Sequence, residues 1–242
     1  MNAATNELAN KVVLVTGSVG NLGYATARAV QKGGAKTVLV DRSEDRLKEH
    51  FPEIANSPDH LLAGGVDLTS AESLARVVES ACKRFDRIDA LVNTVGGWRG
   101  GKPVHEADLA DWDFLFGVNL RTTLLCCRAV IPQMLRKGGG KIVNVASHDA
   151  LAGGAGYAAY SASKSGVLRL TESLAAELKD SNINANCIMP GTIDTPQNRK
   201  AMPKADFTKW VQPEAIAEVI LFLISDASRA VNGAAIPVYG KG

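Results

Sequence analysis

A tyrosine and a lysine stand four residues apart in the segment Tyr160–Lys164 (YSASK). On a helix this spacing brings the phenol and the ammonium to one face. A free phenol titrates at about pH 10, and a neighbouring positive charge lowers that pKa because it stabilises the phenolate. The pair therefore predicts a general acid/base, whereas Tyr157 has no lysine at this spacing. The structural alternative is an amphipathic helix whose lysine stem lies along an apolar surface.

A serine that can bind a substrate oxygen precedes this pair. Ser147 follows a predicted strand, 13 residues before the tyrosine, and its hydroxyl can donate a hydrogen bond. His148 comes next and faces either the substrate or the solvent. The other histidines, His50, His60 and His105, are widely separated in the sequence and show no metal-ligand spacing, so we expect no metal site.

A glycine-rich turn, Thr16–Gly23 (TGSVGNLG), follows the first predicted strand and opens a helix. Glycines there permit a tight turn and a close backbone approach, and the first turn of a helix offers free N–H groups to a pyrophosphate. The motif therefore predicts a dinucleotide site, although glycine-rich turns also occur for packing reasons alone.

Asp41 ends the second predicted strand, 18 residues after Gly23. A carboxylate at this place accepts hydrogen bonds from the adenosine ribose hydroxyls. It also repels a 2′-phosphate by about 4 kcal/mol per unit charge pair at ~4 Å and an effective dielectric of roughly 20. Arg42 can offset part of that repulsion. We therefore expect NAD(H) rather than NADP(H), and the structural alternative is a capping aspartate, a place that Ser43 can also fill.

Short apolar runs alternate with longer helical stretches along the chain. Strands are expected at Lys11–Thr16, Lys36–Asp41, Leu61–Val66, Ile88–Asn93, Lys141–Ala146, Ile183–Met189 and Ala234–Val238. Helices are expected at Leu22–Lys32, Ser70–Arg84, Leu109–Leu135, Tyr157–Lys179 and Pro213–Ile224. Continuous apolar strands separated by helices favour an α/β fold, a doubly wound, seven-stranded parallel sheet with helices on both faces. We expect one catalytic domain over residues 1–242, with a substrate lid at residues 191–212.

The amino-acid composition excludes some classes of protein. Of the 242 residues, 46% are hydrophobic and 21% charged, which excludes intrinsic disorder. Lys plus Arg total 27 against 25 Asp plus Glu, without a basic stripe, so nucleic acid is not an expected partner. We expect neither a signal peptide nor a membrane span. The cysteines form no CxxC pair, so we expect free thiols in a cytoplasmic protein.

Taken in order, these segments resemble the short-chain dehydrogenase/reductase family over nearly the whole chain, from Val12 to Gly240. The resemblance is carried by Thr16–Gly23, Asp41, Asp67-Leu68, Asn93-Thr94-Val95-Gly96, Asn119, Ser147, Tyr160, Lys164 and Pro190–Thr195 (PGTIDT). Each motif is modest alone, but their common order and spacing make coincidence improbable. The resemblance implies a Rossmann fold and hydride transfer between NAD(P) and an alcohol or carbonyl.

The resemblance also implies a role for each matching residue. Tyr160 is expected to be the general acid/base, and Lys164 to hold the nicotinamide ribose. Ser147 is expected to polarise the carbonyl, and Asn119 to position a proton-relay water. The adenine is expected to meet Asp67 and Leu68, the adenosine Asn93 and Gly96, and the carboxamide Ile193 and Thr195. The other expected contacts to the cofactor come from Gly17, Ser18, Gly20, Asn21, Leu22, Gly23, Asp41, Arg42, Tyr160, Lys164, Pro190 and Gly191.

Two positions depart from the family's pattern. The usual TGxxxGxG turn has Asn21 in place of its middle glycine, and Gly20 stands one residue earlier. Asparagine tolerates positive φ better than other non-glycine residues, so we expect the turn to persist with altered detail. The usual NNAG motif reads Asn-Thr-Val-Gly, so that Val95 adds bulk near the adenosine. Both departures bear on cofactor affinity rather than on reaction class.

A narrower resemblance, to the dihydropteridine reductases of the same family, lies in the substrate region. It is carried by Gly96–Gly101 (GGWRGG), Asp194–Pro203 (DTPQNRKAMP) and Ala205–Phe207 (ADF). It implies that Trp98 and Trp210 stack on a flat heterocycle, whereas the alternative is that both pack within the lid. Ser147, which those reductases generally lack, favours an ordinary carbonyl or alcohol. His148 and Met202 complete the expected substrate contacts.

These residues predict an NAD(H)-dependent oxidoreductase acting on a small alcohol or carbonyl compound. A dihydropteridine-type reductase is the alternative among enzymes. A non-catalytic dinucleotide-binding sensor or scaffold is the alternative of another class, and the complete set of four catalytic side chains argues against it. Helices Leu109–Leu135 and Tyr157–Lys179 are apolar on more than one face. In the family these helices form a four-helix subunit interface, so we expect a homotetramer or homodimer.

Overall fold

The computed structural model describes residues 7–241, and seven parallel strands form its central sheet. The strands are β1 (Val12–Thr16), β2 (Lys36–Val40), β3 (His60–Ala63), β4 (Ala90–Asn93), β5 (Gly140–Val145), β6 (Ile183–Pro190) and β7 (Ala235–Val238). Their order across the sheet is β3-β2-β1-β4-β5-β6-β7, and every neighbouring pair is parallel. The strand order reverses between β1 and β4, where doubly wound folds bind their ligands. The predicted fold class is confirmed.

Helices cover both faces of this sheet. They are α1 (Asn21–Lys32), α2 (Glu44–His50), α3 (Ala71–Phe85), α4 (Leu109–Leu115), α5 (Thr122–Lys137), α6 (Ala158–Leu178), α7 (Pro196–Ala201) and α8 (Pro213–Ile224). Alternate residues of β1 face opposite layers: Val13 and Val15 pack with α1 and α8, while Val12 and Leu14 pack with α3, α5 and α6. A strand buried on both faces is therefore apolar at every position, which explains its continuous hydrophobic run.

The long helix predicted at Leu109–Leu135 is interrupted by a π-helical segment, Phe116–Arg121, which joins α4 to α5. Two hydroxyls bind main-chain carbonyls of this wider turn: Thr122 Oγ1 donates to Val118 O at 2.7 Å and Thr123 Oγ1 to Asn119 O at 2.8 Å. Single π turns are frequent at functional sites, and this one carries Asn119 into the interior.

The run Leu109–Lys137 is also long and apolar enough, by length and composition alone, to cross a bilayer. The expectation that the sequence has no stretch of the length and composition of a membrane span was therefore too strict. Cys126, Val130 and Met134 on this run are buried in the protein's own core, so packing against the sheet accounts for part of its apolar character. Every cysteine is a free thiol.

Some short elements were not predicted. Helix α2 has only one buried residue, Leu47, so it shows no apolar periodicity, but Ser43 caps it by accepting from Arg46 N–H. Helix α7 lies inside the segment predicted as an irregular lid, and Thr195 caps it. Strand β3 ends at Ala63, earlier than predicted, because two glycines follow and Gly65 has φ +68°.

We expect Gly23→Ala to destabilise the fold. A Cβ at Gly23 would overlap the carbonyl oxygen of Gly17 and lie 2.8 Å from Thr94 Oγ1, so α1 must move away from the turn. Such overpacking should lower the free energy of unfolding by at least about 2 kcal/mol. Gly117→Ala is the matched control, because a Cβ there meets nothing within 4 Å, and it should be neutral or stabilising by up to about 1 kcal/mol. Urea denaturation measures both, and equal effects would contradict this packing argument.

Candidate active site

The glycine-rich turn lies at the carboxyl end of β1 and leads directly into α1. Gly17 has φ +65°, in the left-handed region, and a Cβ there would lie 2.8 Å from Val95 Cγ2. The added bulk of Val95 is thus accommodated by the missing side chain of Gly17. Asn21 begins α1 and is not among the residues with positive φ, so its tolerance of that conformation is not needed. The turn uses Gly17 for that conformation instead.

Among the residues that the structure describes, no side chain caps α1. Its N-cap residue is Gly20, whose N–H donates to Gly17 O at 2.9 Å. By contrast, Ser70 caps α3 and Thr195 caps α7. The first-turn N–H groups of an uncapped helix have no intrahelical partner, and the helix dipole makes that end attractive to anions. This end of α1 therefore fits a diphosphate.

Asp41 is buried, with 8% exposure, directly beyond β2. Its Oδ2 accepts from Val19 N at 3.4 Å and its Oδ1 accepts from Ser43 N at 3.1 Å, so the carboxylate spans the glycine-rich turn and the start of α2. Carboxylate oxygens have further acceptor capacity, which suits two ribose hydroxyls. Arg42 is exposed beside it.

The other expected adenosine contacts divide into exposed and buried groups. Asp67 is exposed, and its Oδ1 accepts from the N–H and hydroxyl of Thr69 at 2.8 and 2.7 Å, while Leu68 is buried. Asn93 does not point to the open edge: its Nδ2 donates to Asn144 Oδ1 at 2.9 Å inside the sheet. Any contact of Asn93 with a cofactor must therefore come from its main chain.

The expected carboxamide contacts lie where β6 ends. Pro190 is the last residue of β6, and Gly191 N donates to Val238 O at 3.1 Å on β7. Ile193 forms a parallel bridge with Val211, which joins the two ends of the 191–212 segment. The Thr195 hydroxyl accepts from Asn198 N at 3.1 Å as the cap of α7.

Lys164 reaches from α6 into the interior, where it is 4% exposed. Its Nζ donates to Val145 O at 2.9 Å, at the end of β5. Burial lowers its pKa to about 8, because the ammonium loses its hydration. A Cβ at Gly96 would lie 3.1 Å from this Nζ and 3.1 Å from Asn119 Oδ1. A side chain at position 96 would therefore crowd the ammonium and the Asn119 amide, which would have to shift.

Asn119 connects the segment after β4 to α6 through hydrogen bonds. Its Oδ1 accepts from Gly97 N at 2.9 Å, and its Nδ2 donates to Gly97 O at 3.1 Å and to Ser163 Oγ at 3.0 Å. Both ends of the amide are thus engaged by protein groups. The expected relay water stays a prediction, and it would have to use the main chain of this segment.

Ser147 and Tyr160, the residues expected to orient the substrate and to exchange the proton, lie close together. Ser147 Oγ accepts from Asp149 N at 3.2 Å, as the cap of a short 3-10 helix, and lies 3.4 Å from Asp149 Oδ2. Burial raises the pKa of Tyr160, the Asp149 carboxylate raises it further, and interaction with the Ser147 hydroxyl lowers it. The expected lowering by Lys164 is absent in this state, because Lys164 Nζ is directed at Val145 O.

Two of the expected substrate residues, Trp98 and His148, make aromatic contacts, and Trp98 and Met202 are exposed. Trp98 is 55% exposed and meets Tyr157 edge to face, with ring centroids 5.8 Å apart. His148 meets Tyr239 edge to face at 5.0 Å, and Met202 is exposed.

The 191–212 segment is held at both ends by contacts of its own. Trp210 packs on Phe207 at 4.7 Å, which favours lid packing for that tryptophan. Asp194 accepts from Arg199 at 2.6 and 2.7 Å, and this pair lowers the pKa of Asp194 to about 2. From α7, Gln197 Oε1 accepts from Asn21 Nδ2 at 2.9 Å. The segment therefore touches the glycine-rich turn.

Several residues at this edge escaped the sequence analysis. Asp149, Gly97 and Ser163 all contact an expected catalytic side chain. The position of Asp149, two residues after Ser147, was the one available signal. Among residues 7–241, no group of three or more His, Cys, Asp or Glu side chains is arranged to hold a metal ion.

Comparisons with known proteins place the chain in a family. A family model described as short chain dehydrogenase matches residues 11–206. The 3-oxoacyl-[acyl-carrier-protein] reductase FabG of Thermotoga maritima is 34% identical, over 96% of this chain and 98% of the relative. The chain belongs to the short-chain dehydrogenase family, whose members are NAD(P)-dependent oxidoreductases of alcohol and carbonyl groups.

Other relatives agree with this assignment. The D-threitol dehydrogenase of Mycolicibacterium smegmatis is 34% identical, over 96% of this chain and 93% of the relative. The crystal structure of gox2181 superposes with a TM-score of 0.90 at 29% identity and covers 98% of each chain. The family resemblance seen in the sequence is confirmed.

We expect Lys164→Met to stabilise the cofactor-free protein at neutral pH. The pKa of Lys164 falls from 10.5 to about 8 on folding, which corresponds to about 3 kcal/mol of unfavourable burial below pH 8. The folded state binds fewer protons between these two values, so wild-type stability rises with pH there. Allowing for the lost hydrogen bond, the variant should be more stable by about 1–3 kcal/mol at pH 7, and the difference should shrink towards pH 10.

Urea denaturation at pH 7 and at pH 9.5 measures this difference. Lys83→Met, which removes an exposed ammonium on α3, is the control. A pH-independent difference between Lys164→Met and the wild type would contradict the account.

Proposed function

We propose that the protein is an NAD(H)-dependent oxidoreductase that transfers a hydride between the nicotinamide and a small alcohol or carbonyl compound. The observation that carries the proposal is the placement of the Ser147 hydroxyl beside the Tyr160 phenol, with the buried ammonium of Lys164 on the same helix. A hydroxyl donor, a phenolic acid and a cation near one open edge fit the stabilisation of an oxyanion.

The residues present fit an NAD(H) molecule. The uncapped start of α1 would hold the diphosphate, and Asp41 would bind the adenosine ribose hydroxyls. Lys164 would donate to the nicotinamide ribose, and the main chain of Ile193 would meet the carboxamide. When bound, the nicotinamide supplies or accepts the hydride. The exposed Arg42 offers a charge to a 2′-phosphate, but the buried Asp41 stands closer to the turn and favours NAD(H).

Tyr160 moves the proton in this proposal. In reduction, the phenol gives its proton to the substrate oxygen while Ser147 donates a second hydrogen bond to that oxygen. The raised pKa of Tyr160 keeps the phenol protonated at neutral pH, which suits an acid. In oxidation, the ammonium of Lys164 would favour the phenolate, once a bound ribose draws Nζ away from Val145 O.

The remaining parts of the proposal concern the chain as a whole. We propose a single catalytic domain whose 191–212 segment acts as a lid, supported by the contact of Gln197 with Asn21. We also propose a cytoplasmic homotetramer or homodimer, formed through α5 and α6. Exposed apolar side chains on the long helix, Leu124 and Leu135, are suited to such an interface.

An NADH-oxidation screen separates the proposal from its alternatives. The panel should include ketones, 3-oxoacyl thioesters, sugars, steroids and quinonoid dihydropterin. Turnover of a ketone supports the proposal, and turnover of the dihydropterin alone favours a pterin-type reductase. NADH binding without turnover of any compound favours a sensor or scaffold.

Tyr160→Phe should lower kcat for the best ketone by about 10²–10⁴-fold, because it removes the general acid and retains the packed ring. Ser147→Ala should lower kcat as well. Both should leave the Kd for NADH within about twofold of wild type, since the cofactor contacts expected from the glycine-rich turn, Asp41 and Lys164 are retained. Steady-state kinetics and fluorescence quenching measure these quantities. Tyr157→Phe is the control, and more than about a tenth of wild-type turnover in Tyr160→Phe would overturn the assignment.

NADH should bind at least ~10-fold more tightly than NADPH, a difference of about 1.4 kcal/mol. Asp41→Ala should reduce this gap between the two affinities mainly by weakening the binding of NADH, because the ribose hydroxyls lose their acceptor. Asp45→Ala, an acidic position in the first turn of α2, is the control and should keep the gap. Fluorescence titration with both cofactors decides the point, and equal affinities in the wild type would count against NAD(H) preference.

A further inference from the structure

Asp149 places a carboxylate beside the two catalytic hydroxyls, and the proposed mechanism leaves that carboxylate without a role. Its Oδ2 lies 3.4 Å from Ser147 Oγ, and its main-chain N–H donates to the same oxygen at 3.2 Å. The side chain is 35% exposed, so it borders open space rather than the core. Its charge also acts on Tyr160, whose pKa it raises.

Asp149 competes with a substrate for the Ser147 hydroxyl. A serine hydroxyl has one proton to donate. While that proton is directed at Asp149, it does not reach the oxygen of a bound carbonyl. A substrate that offers Asp149 another donor frees Ser147 to turn to the reacting oxygen. A hydroxyl on the carbon next to the carbonyl is such a donor, because vicinal oxygens lie roughly 3 Å apart, about one hydrogen-bond length.

The groups that face Asp149 leave its charge available. His148 Nδ1, in the same short helix, is 3.9 Å from Asp149 Oδ1, and its ring packs against Tyr239 beyond β7. Tyr160 approaches from α6. Within residues 7–241, no lysine or arginine pairs with Asp149 at ion-pair distance, and Lys164 donates to a main-chain carbonyl instead. This corner of the site therefore attracts hydrogen-bond donors and repels anions.

We propose that Asp149 is a specificity-determining residue that accepts a hydrogen bond from a hydroxyl on the carbon next to the reacting carbon. The inference rests on the proposed function and names its substrate class, which is α-hydroxyketones and the corresponding vicinal diols. In reduction, the carbonyl carbon takes a hydride from NADH, leaving NAD⁺, and the carbonyl oxygen takes the phenolic proton of Tyr160. The C=O bond becomes an alcohol, and the phenolate recovers a proton from solvent.

The test compares two ketones with the same carbon skeleton, 3-hydroxybutan-2-one and butan-2-one. Wild-type kcat/KM should be at least about tenfold higher for the hydroxyketone, because the analogue that lacks the hydroxyl leaves the Ser147 proton directed at Asp149. Asp149→Ala should bring the ratio of the two values below about three, mainly by raising KM for the hydroxyketone. Asp180→Asn, an exposed aspartate far along the chain from the site, should keep the wild-type ratio.

Asp149→Asn supplies a second readout and guards against a folding defect in the alanine variant. Loss of the charge should move the high-pH limb of kcat for reduction to lower pH, since the carboxylate raises the pKa of Tyr160. It should also improve kcat/KM for pyruvate, whose carboxylate occupies the neighbouring carbon. If Asp149 had a merely structural role, its substitution would change neither the high-pH limb of kcat nor the preference against an anionic substrate.

The outcomes are distinguishable. Turnover of both ketones with equal efficiency by the wild type overturns this inference and leaves the proposed function standing. An unchanged ratio in an active Asp149→Ala also overturns it. No turnover of any ketone, hydroxyketone or diol by the wild type overturns the proposed function, and this inference with it.

Discussion

The constraint on which the rest of the site depends is the buried ammonium of Lys164. Within residues 7–241 its Nζ has a single carbonyl acceptor, at 2.9 Å, and burial lowers its pKa to about 8. Removing an ammonium from water costs several kcal/mol unless hydrogen bonds replace its hydration. The surrounding elements meet this demand only in part. Strand β5 supplies the carbonyl of Val145, and the segment after β4 supplies Gly96, whose missing Cβ leaves room beside Nζ.

The π-helical segment supports the same part of the site, around Lys164. It carries Asn119 to the main chain of Gly97 and to Ser163, the residue just before Lys164. Elements that are far apart in sequence are thereby tied around one charge. The buried ammonium lowers the stability of the fold when no cofactor is present. A bound ribose would supply the hydrogen-bond acceptors that the protein itself does not provide. The proposed contact with the ribose would therefore link stability and cofactor affinity through one side chain.

Much of the fold could be predicted because a parallel sheet covered on both faces makes its strands continuous apolar runs. The glycine-rich turn, Asp41 and the Tyr160–Lys164 spacing could be recognised because their chemistry is local in sequence. The direction of Asn93 could not, since it depends on pairing with Asn144, 51 residues away. The direction of the Tyr160 pKa shift could not be predicted either, because it depends on burial and on Asp149, while Lys164 Nζ is directed at Val145 O.

The most direct test of this account is the pKa of Lys164 itself, followed by NMR in protein labelled with ¹³C-lysine and assigned with Lys164→Met. In the free protein the Lys164 side chain should titrate at about 8. Saturating NAD⁺ should raise this pKa, because ribose hydroxyls and the diphosphate favour the charged form. A Lys164 that titrates at its ordinary value of 10.5 in the free protein, or whose pKa ignores NAD⁺, would contradict the account.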